Sequence, residues 1–155
     1  MQPKSQHLRK CLTLAKEANA SFDLLIVDAF SSDAVPVHLM TAEALKLYLS
    51  KLTPDGVVLL HISNRYLDLD AVLGATAAAI PGIHGIILSD DAADGSYAQS
   101  TSTVALFAKS EAALEAYKTL ADLKPLEASK MRPWTDDYSD ILRPFLSKYK
   151  RRFGE

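Results

Sequence analysis

Asp23-Leu-Leu-Ile-Val-Asp-Ala-Phe30 holds a short, unbroken aliphatic run between two aspartates. A run of that length suits a strand covered on both faces, as in a parallel sheet, with Asp28 at its end. Gly56-Val-Val-Leu-Leu-His-Ile-Ser63 repeats the pattern. Between the two, residues 41–52 carry helix spacing, with Thr41 as N-cap and Ala44, Leu45 and Leu49 among the inward positions. Strand, helix and strand in that order predict a parallel α/β unit.

The alternation continues in both directions. Leu8, Cys11, Leu12, Ala15 and Ala18 predict a helix over residues 5–20, with Asn19 as its stop signal. Thr53-Pro54-Asp55-Gly56 is turn chemistry. Residues 68–80 predict an Ala-rich helix closed by Pro81-Gly82, and residues 83–88 a third strand. A polar loop over residues 90–99 leads to a fourth strand at 102–108, without an intervening helix. That connection predicts an antiparallel pair at one end of the sheet. Helices follow at 111–123 and from about 141 to 149. The expected fold is a partial Rossmann-like α/β sheet of about four strands, mostly parallel, with a terminal antiparallel strand and flanking helices. It forms one domain over residues 1–155, and its sheet starts as if in the middle.

Composition narrows the function classes. The chain has 155 residues, 48% hydrophobic and 23% charged, which fits one globular domain and argues against disorder. A net charge of −2 creates no global field that demands nucleic acid or an anionic membrane. The basic run Lys148, Lys150, Arg151 and Arg152 reads as a solvated helix end. The lone Cys11 excludes an internal disulfide and CxxC zinc spacing, and it fits a reducing, cytoplasmic setting. The aliphatic runs are strand-sized, so no membrane span is expected, and the first residues carry no secretory h-region. The four histidines lack metal spacing, and no metal is expected. Neither Ser31 nor Ser32 has an adjacent histidine, so a hydrolase is not expected.

Ligands of open α/β sheets bind beyond the carboxyl ends of the strands. Asp28 falls at such an end, Asp33 in the loop after it, and Ser63, Asn64 and Arg65 at the end of the next strand. Two carboxylates on one rim suit a cationic amine, and one of them can accept its proton. The plainer reading makes Asp28 a cap and Asp33 a solvated turn residue. His61 reads as a satisfied strand histidine. Trp134 with Tyr138 either walls an amine pocket through cation–π contact or docks the C-terminal helix; both readings stay open. Asp136 and Asp137 either extend an acidic pocket or cap a helix.

The segment from Phe22 through Asp28 and Asp33 to Thr41 resembles the active-site segment of spermidine-synthase-like proteins, in particular a bacterial branch often fused to membrane segments. His61-Ile-Ser-Asn-Arg-Tyr-Leu-Asp-Leu69 and Trp134-Thr-Asp-Asp-Tyr-Ser139 resemble two further motifs of that branch. The resemblance spans residues 22–139. It implies a methyltransferase-type Rossmann-like fold and transfer of an aminopropyl group from decarboxylated S-adenosylmethionine to a diamine such as putrescine. Asp28 is then the base and Asp33 the amine anchor. Asn64, Tyr66, Trp134 and Asp137 are secondary pocket residues. Decarboxylated S-adenosylmethionine is implied as cosubstrate, with no tightly bound cofactor.

The match also has gaps. The family's Gly-rich turn and ribose-binding acidic residue have no counterpart in these residues. Leu8-Arg-Lys-Cys11 stands where the family carries a Gly-Asp-Ala-Arg-like stretch, so Arg9 replaces an adenine-contacting aspartate. The sequence thus reads as the C-terminal half of the domain, incomplete as an enzyme alone. The alternatives are a non-catalytic polyamine-binding or assembly module and an S-adenosylmethionine-dependent methyltransferase. An open hydrophobic edge at the first strand predicts a homodimer or larger assembly joined through that strand or its flanking helices.

Overall fold

The computed structural model describes residues 5–7, 14–28, 37–64, 66–90, 102–119 and 123–154. Its strands are β1 (Ser5–His7), β2 (Phe22–Val27), β3 (Leu52–His61), β4 (His84–Asp90), β5 (Ser102–Ala108) and β6 (Leu123–Pro125). Its α-helices are α1 (Ala42–Lys51), α2 (Leu69–Ala78) and α3 (Leu142–Phe153), with short 3-10 segments at Val37–Leu39 and Ala112–Tyr117. The strands make one six-stranded sheet in the order β1-β2-β3-β5-β4-β6.

The unit around the opening stretch forms as its pattern predicts. β2 and β3 are parallel neighbours, with Leu24 opposite Val57 and Val27 opposite Leu60. α1 makes the crossover. Thr41 caps it by accepting the Ala44 N–H at 3.2 Å, and its hydroxyl donates to Asp136 at 2.7 Å. Thr41→Ala removes the cap and this tie together, and is expected to cost about 1–2 kcal/mol, read as a lower denaturant midpoint.

The predicted turn at 53–56 lies inside β3, where a register shift between Phe22 and Leu24 absorbs the extra residues. Gly56 permits this close approach: a Cβ there would sit 2.7 Å from the Phe22 carbonyl oxygen. β4 and β5 form the expected antiparallel pair, from His84–Ala108 to Asp90–Ser102. β5 also pairs antiparallel with β3, so this strand sits inside the sheet.

Two short strands, β1 and β6, flank the four expected ones. Residues 5–7 belong to β1 and not to the helix predicted over 5–20. Their backbone meets the otherwise open edge of β2 at Leu24, Leu25 and Ile26, and an edge hydrogen-bond ladder outweighs weak helical spacing. Residues 8–13 lie outside the described residues. Downstream, buried Lys51 gathers the turn before β2 by donating to the carbonyls of Ala15 and Glu17 and to Asn19 Oδ1. Because β1 occupies the outer edge of β2, the argument for a homo-oligomer at that edge loses its premise. At the other margin, the helix predicted over 111–123 is a 3-10 segment followed by β6, whose Pro125 suits an edge strand.

The larger core lies on one face of the sheet. There Leu25, Val27, Val58, Leu60 and Phe107 pack against α1 and α2. The smaller core, on the other face, gathers Val57, Ile86, Leu106 and Ala108 around Leu114 of the second 3-10 segment. α2 is closed over by residues 127–129 at Gly74, where a Cβ would collide with the Glu127 carbonyl oxygen. Alanine ordinarily strengthens a helix interior by about 1 kcal/mol over glycine. Here overpacking reverses the sign, and Gly74→Ala is expected to lose a net ~1–2 kcal/mol in thermal or urea unfolding.

Candidate functional site at the carboxyl ends of β2 and β3

Parallel pairing places the ends of β2 and β3 side by side. Val27 and Leu60 are register partners, and the next residue on each strand is polar: Asp28 and His61. Asp28 Oδ1 lies 3.1 Å from His61 Nδ1. His61 Nε2 lies 2.7 Å from Ser63 Oγ. Ser63 Oγ accepts the Thr103 N–H at 2.7 Å and stands 3.4 Å from the Thr103 carbonyl oxygen. A line of polar groups thus crosses from β2 through β3 to β5.

Hydrogen-bond direction follows from the donor inventory. A neutral His61 gives its Nδ1–H to the Asp28 carboxylate and receives the Ser63 hydroxyl at Nε2. A protonated His61 donates at both nitrogens, and the Ser63 hydroxyl turns to the Thr103 carbonyl. The network therefore accommodates either state with one hydroxyl rotation. The side chains of Asp28 and His61 are 52% and 31% exposed, so the pair is open to a solute and contributes little to stability. Only Oδ1 of Asp28 is engaged among the described residues.

The order aspartate, histidine, serine is also that of a hydrolytic triad. Ser63 Oγ is committed differently. It bridges β3 to β5 through the Thr103 backbone, beside the Ile62 N–H bond to Thr103 O.

The other expected site residues separate into rim and scaffold. Asp33 and Arg65 lie outside the described residues. Asn64 follows Ser63 on the rim, and its Oδ1 accepts the N–H groups of Tyr66 and Leu67 at 2.9 and 2.8 Å. That turn swings the chain into α2 and leaves Tyr66 exposed. Trp134 is in the large core at 2% exposure, not on the rim. Its backbone N–H donates to Thr76 Oγ1 at 3.4 Å and its backbone carbonyl accepts the Ala42 N–H at 2.9 Å, which ties this residue to α1 and α2. Tyr138 holds its own chain's Arg132 over its ring at 3.9 Å. A cation–π wall made by Trp134 and Tyr138 is therefore not what these residues build. Asp136 accepts from Thr41, and Asp137 is exposed in the turn closed by Thr135 and Tyr138.

Two functional or structural roles escaped the reading of the chain. His61 is a satisfied strand histidine, as its position predicts, but the group that satisfies it, Asp28, is not apparent from the sequence. The available signal was that two neighbouring apolar strands each give way to a polar residue at the same level. Asp68, expected only within a motif, is buried and bound by Ser147 Oγ at 2.6 Å and by the Arg151 guanidinium. That bond to Asp68, ahead of a smaller opposing effect of burial, raises the Arg151 pKa above its ordinary value. Among the described residues, no cluster of three or more His, Cys, Asp or Glu is disposed to hold a metal.

No protein-family model matches the chain, and no curated protein matches it. Solved structures do. The chain is similar to a probable spermidine synthase from Corynebacterium glutamicum, with 16% identity and a TM-score of 0.55, over 83% of this chain and 52% of that one. It also aligns with the spermidine synthase from Thermotoga maritima at 14% identity and a TM-score of 0.43, over 92% of this chain and 47% of that one. The chain thus spans about half the length of the solved structures it matches. The first likeness shows a spermidine-synthase-type, methyltransferase-like α/β fold.

Proposed function

We propose that the rim formed by Asp28 and His61 binds a cationic diamine such as putrescine and serves as the amine side of an aminopropyl-transfer site. The observation that carries this reading is the half-exposed Asp28 carboxylate at the end of β2, held through one oxygen by His61. The second oxygen is left for an ammonium, where a charge-assisted hydrogen bond forms. Transfer needs an unprotonated nitrogen, because its lone pair attacks the carbon beside a sulfonium, forming C–N as C–S breaks. Asp28 orients the amine and takes its proton as the base, while the His61 Nδ1–H steadies the carboxylate through its other oxygen. Asp33 is proposed as the anchor of the distal ammonium. Asn64, Tyr66 and Asp137 are proposed as secondary pocket residues, whereas Trp134 belongs to the core and not to the pocket. Decarboxylated S-adenosylmethionine is the proposed aminopropyl donor.

A second reading, amine binding without transfer, is favoured by Arg9, a cation where the family carries an adenine-contacting aspartate. Calorimetry with putrescine and with an S-adenosyl ligand separates the two. Both ligands bind if these residues carry transfer; only the amine binds in the second reading. Absence of amine binding overturns both.

A further inference from the structure

α3 faces the wrong way for a helix that serves only the core. Pro144 is its buried residue. The side turned to the body carries Pro144, Ser147 and Arg151: Ser147 and Arg151 bond to Asp68, and the Pro144 carbonyl accepts the Asp68 N–H at 3.1 Å. Spacings of three and four residues put these groups on one side. The opposite side carries Leu142, Phe145, Leu146, Tyr149 and Phe153, all exposed, with Leu142 at 66% and Phe153 at 62%. Ile141, just before the helix, extends the row. Apart from Tyr66, these are all the exposed large hydrophobic residues among those described. Tyr149 and Phe153 stack within it at 4.6 Å between ring centroids.

Charge frames this row. Leu142–Phe153 contains Arg143, Lys148, Lys150, Arg151 and Arg152 and no acidic residue, in a chain whose net charge is −2. At 100° per residue, Arg143 and Lys150 border the apolar row on one side and Arg152 borders it on the other. A large aromatic and aliphatic face flanked by cations is the pattern of a helix that lies in a membrane interface. No described helix is long and apolar enough to cross a membrane, and this one has 12 residues. Pairing the apolar rows of two copies would press their flanking cations together, whereas an anionic leaflet neutralises them.

We propose that α3 is a membrane-surface helix: it lies flat on an anionic lipid leaflet, with Leu142, Phe145, Leu146, Tyr149 and Phe153 among the acyl chains and Arg143, Lys150 and Arg152 at the phosphates. The bonds of Asp68 to Ser147 and Arg151 hold the helix to the sheet domain while its outer face is occupied. This inference is independent of the amine site.

Vesicle flotation of the full chain tests it. Vesicles of phosphatidylcholine containing a third phosphatidylserine should carry the protein up the gradient; pure phosphatidylcholine vesicles should not, and added salt should weaken the association. Leu142→Ser with Phe153→Ser removes the two most exposed apolar groups, which make no core contact, and should lower partitioning about tenfold or more. Arg143→Glu with Lys150→Glu should abolish the preference for phosphatidylserine. An unchanged melting temperature in both variants shows that the fold is kept. Equal binding to both vesicle types, or none by the wild-type chain, overturns the proposal without reference to any variant. A concentration-dependent dimer that dissolves in the Leu142→Ser, Phe153→Ser variant, with no vesicle binding, assigns the row to a second copy and also overturns it.

Discussion

Replacing Trp134 with alanine is expected to lower the free energy of unfolding by about 3–5 kcal/mol. The indole is 2% exposed and belongs to the cluster that includes residues of β2, β3, β5, α1 and α2. Its loss removes a large buried area and leaves a cavity that rigid neighbours cannot fill. The effect has a second component. The backbone at Trp134 is tied to Ala42 at the start of α1 and to Thr76 on α2, and Asp136 two residues later accepts from Thr41. A slackened segment at 134–136 therefore weakens the α1 cap as well. Urea unfolding followed by circular dichroism reads the change directly. A loss below about 1 kcal/mol, the scale of a surface substitution, would place the indole outside the core. The same variant separates packing from binding, because putrescine affinity measured well below the unfolding transition should be nearly unchanged.

The second large effect is expected at Asp28. Asp28→Asn keeps the shape and removes the charge, so the rim loses its charge-assisted bond to an ammonium. Such bonds contribute about 1.5–3 kcal/mol, which corresponds to a roughly 10–100-fold weaker dissociation constant for putrescine. Stability should hardly move, because the pair with His61 is exposed. A variant that binds putrescine as the wild-type chain does removes Asp28 from the site. A variant that unfolds instead would mean that the Asp28–His61 pair is structural.

Much of this fold was legible in local pattern, and the reasons for the exceptions are physical. β2, α1, β3, α2 and β5 appear where their apolar spacing put them, because each buries a face large enough to dictate its own period. Thr41 caps α1 as its position foretold. β1 was not legible, since Ser5-Gln6-His7 has no strand character of its own and pairs only because β2 offers an open edge. β6 is another edge strand of that kind. The turn chemistry at 53–56 was real but sits in a bulge, decided by the register of β2 against β3.

At the site, Asp28 was legible as a strand-end carboxylate. Its partner was not, because the bond to His61 depends on which strands are neighbours and in what register. Trp134 and Tyr138 share a motif, yet one enters the core and the other holds Arg132, a division that only packing decides. The basic run at 148–152 read as a solvated helix end. In the folded chain α3 turns Ser147 and Arg151 inward and its apolar row outward, so Lys150 and Arg152 border an exposed apolar face.

Nuclear magnetic resonance of the His61 ring during a putrescine titration probes the amine site most directly. The imidazole touches the proposed amine-binding carboxylate through Nδ1 and Ser63 through Nε2. A saturable shift of its ring resonances, absent in Asp28→Asn, is the predicted result. A His61 ring that stays silent while putrescine is added to saturation would contradict an amine site at the ends of β2 and β3.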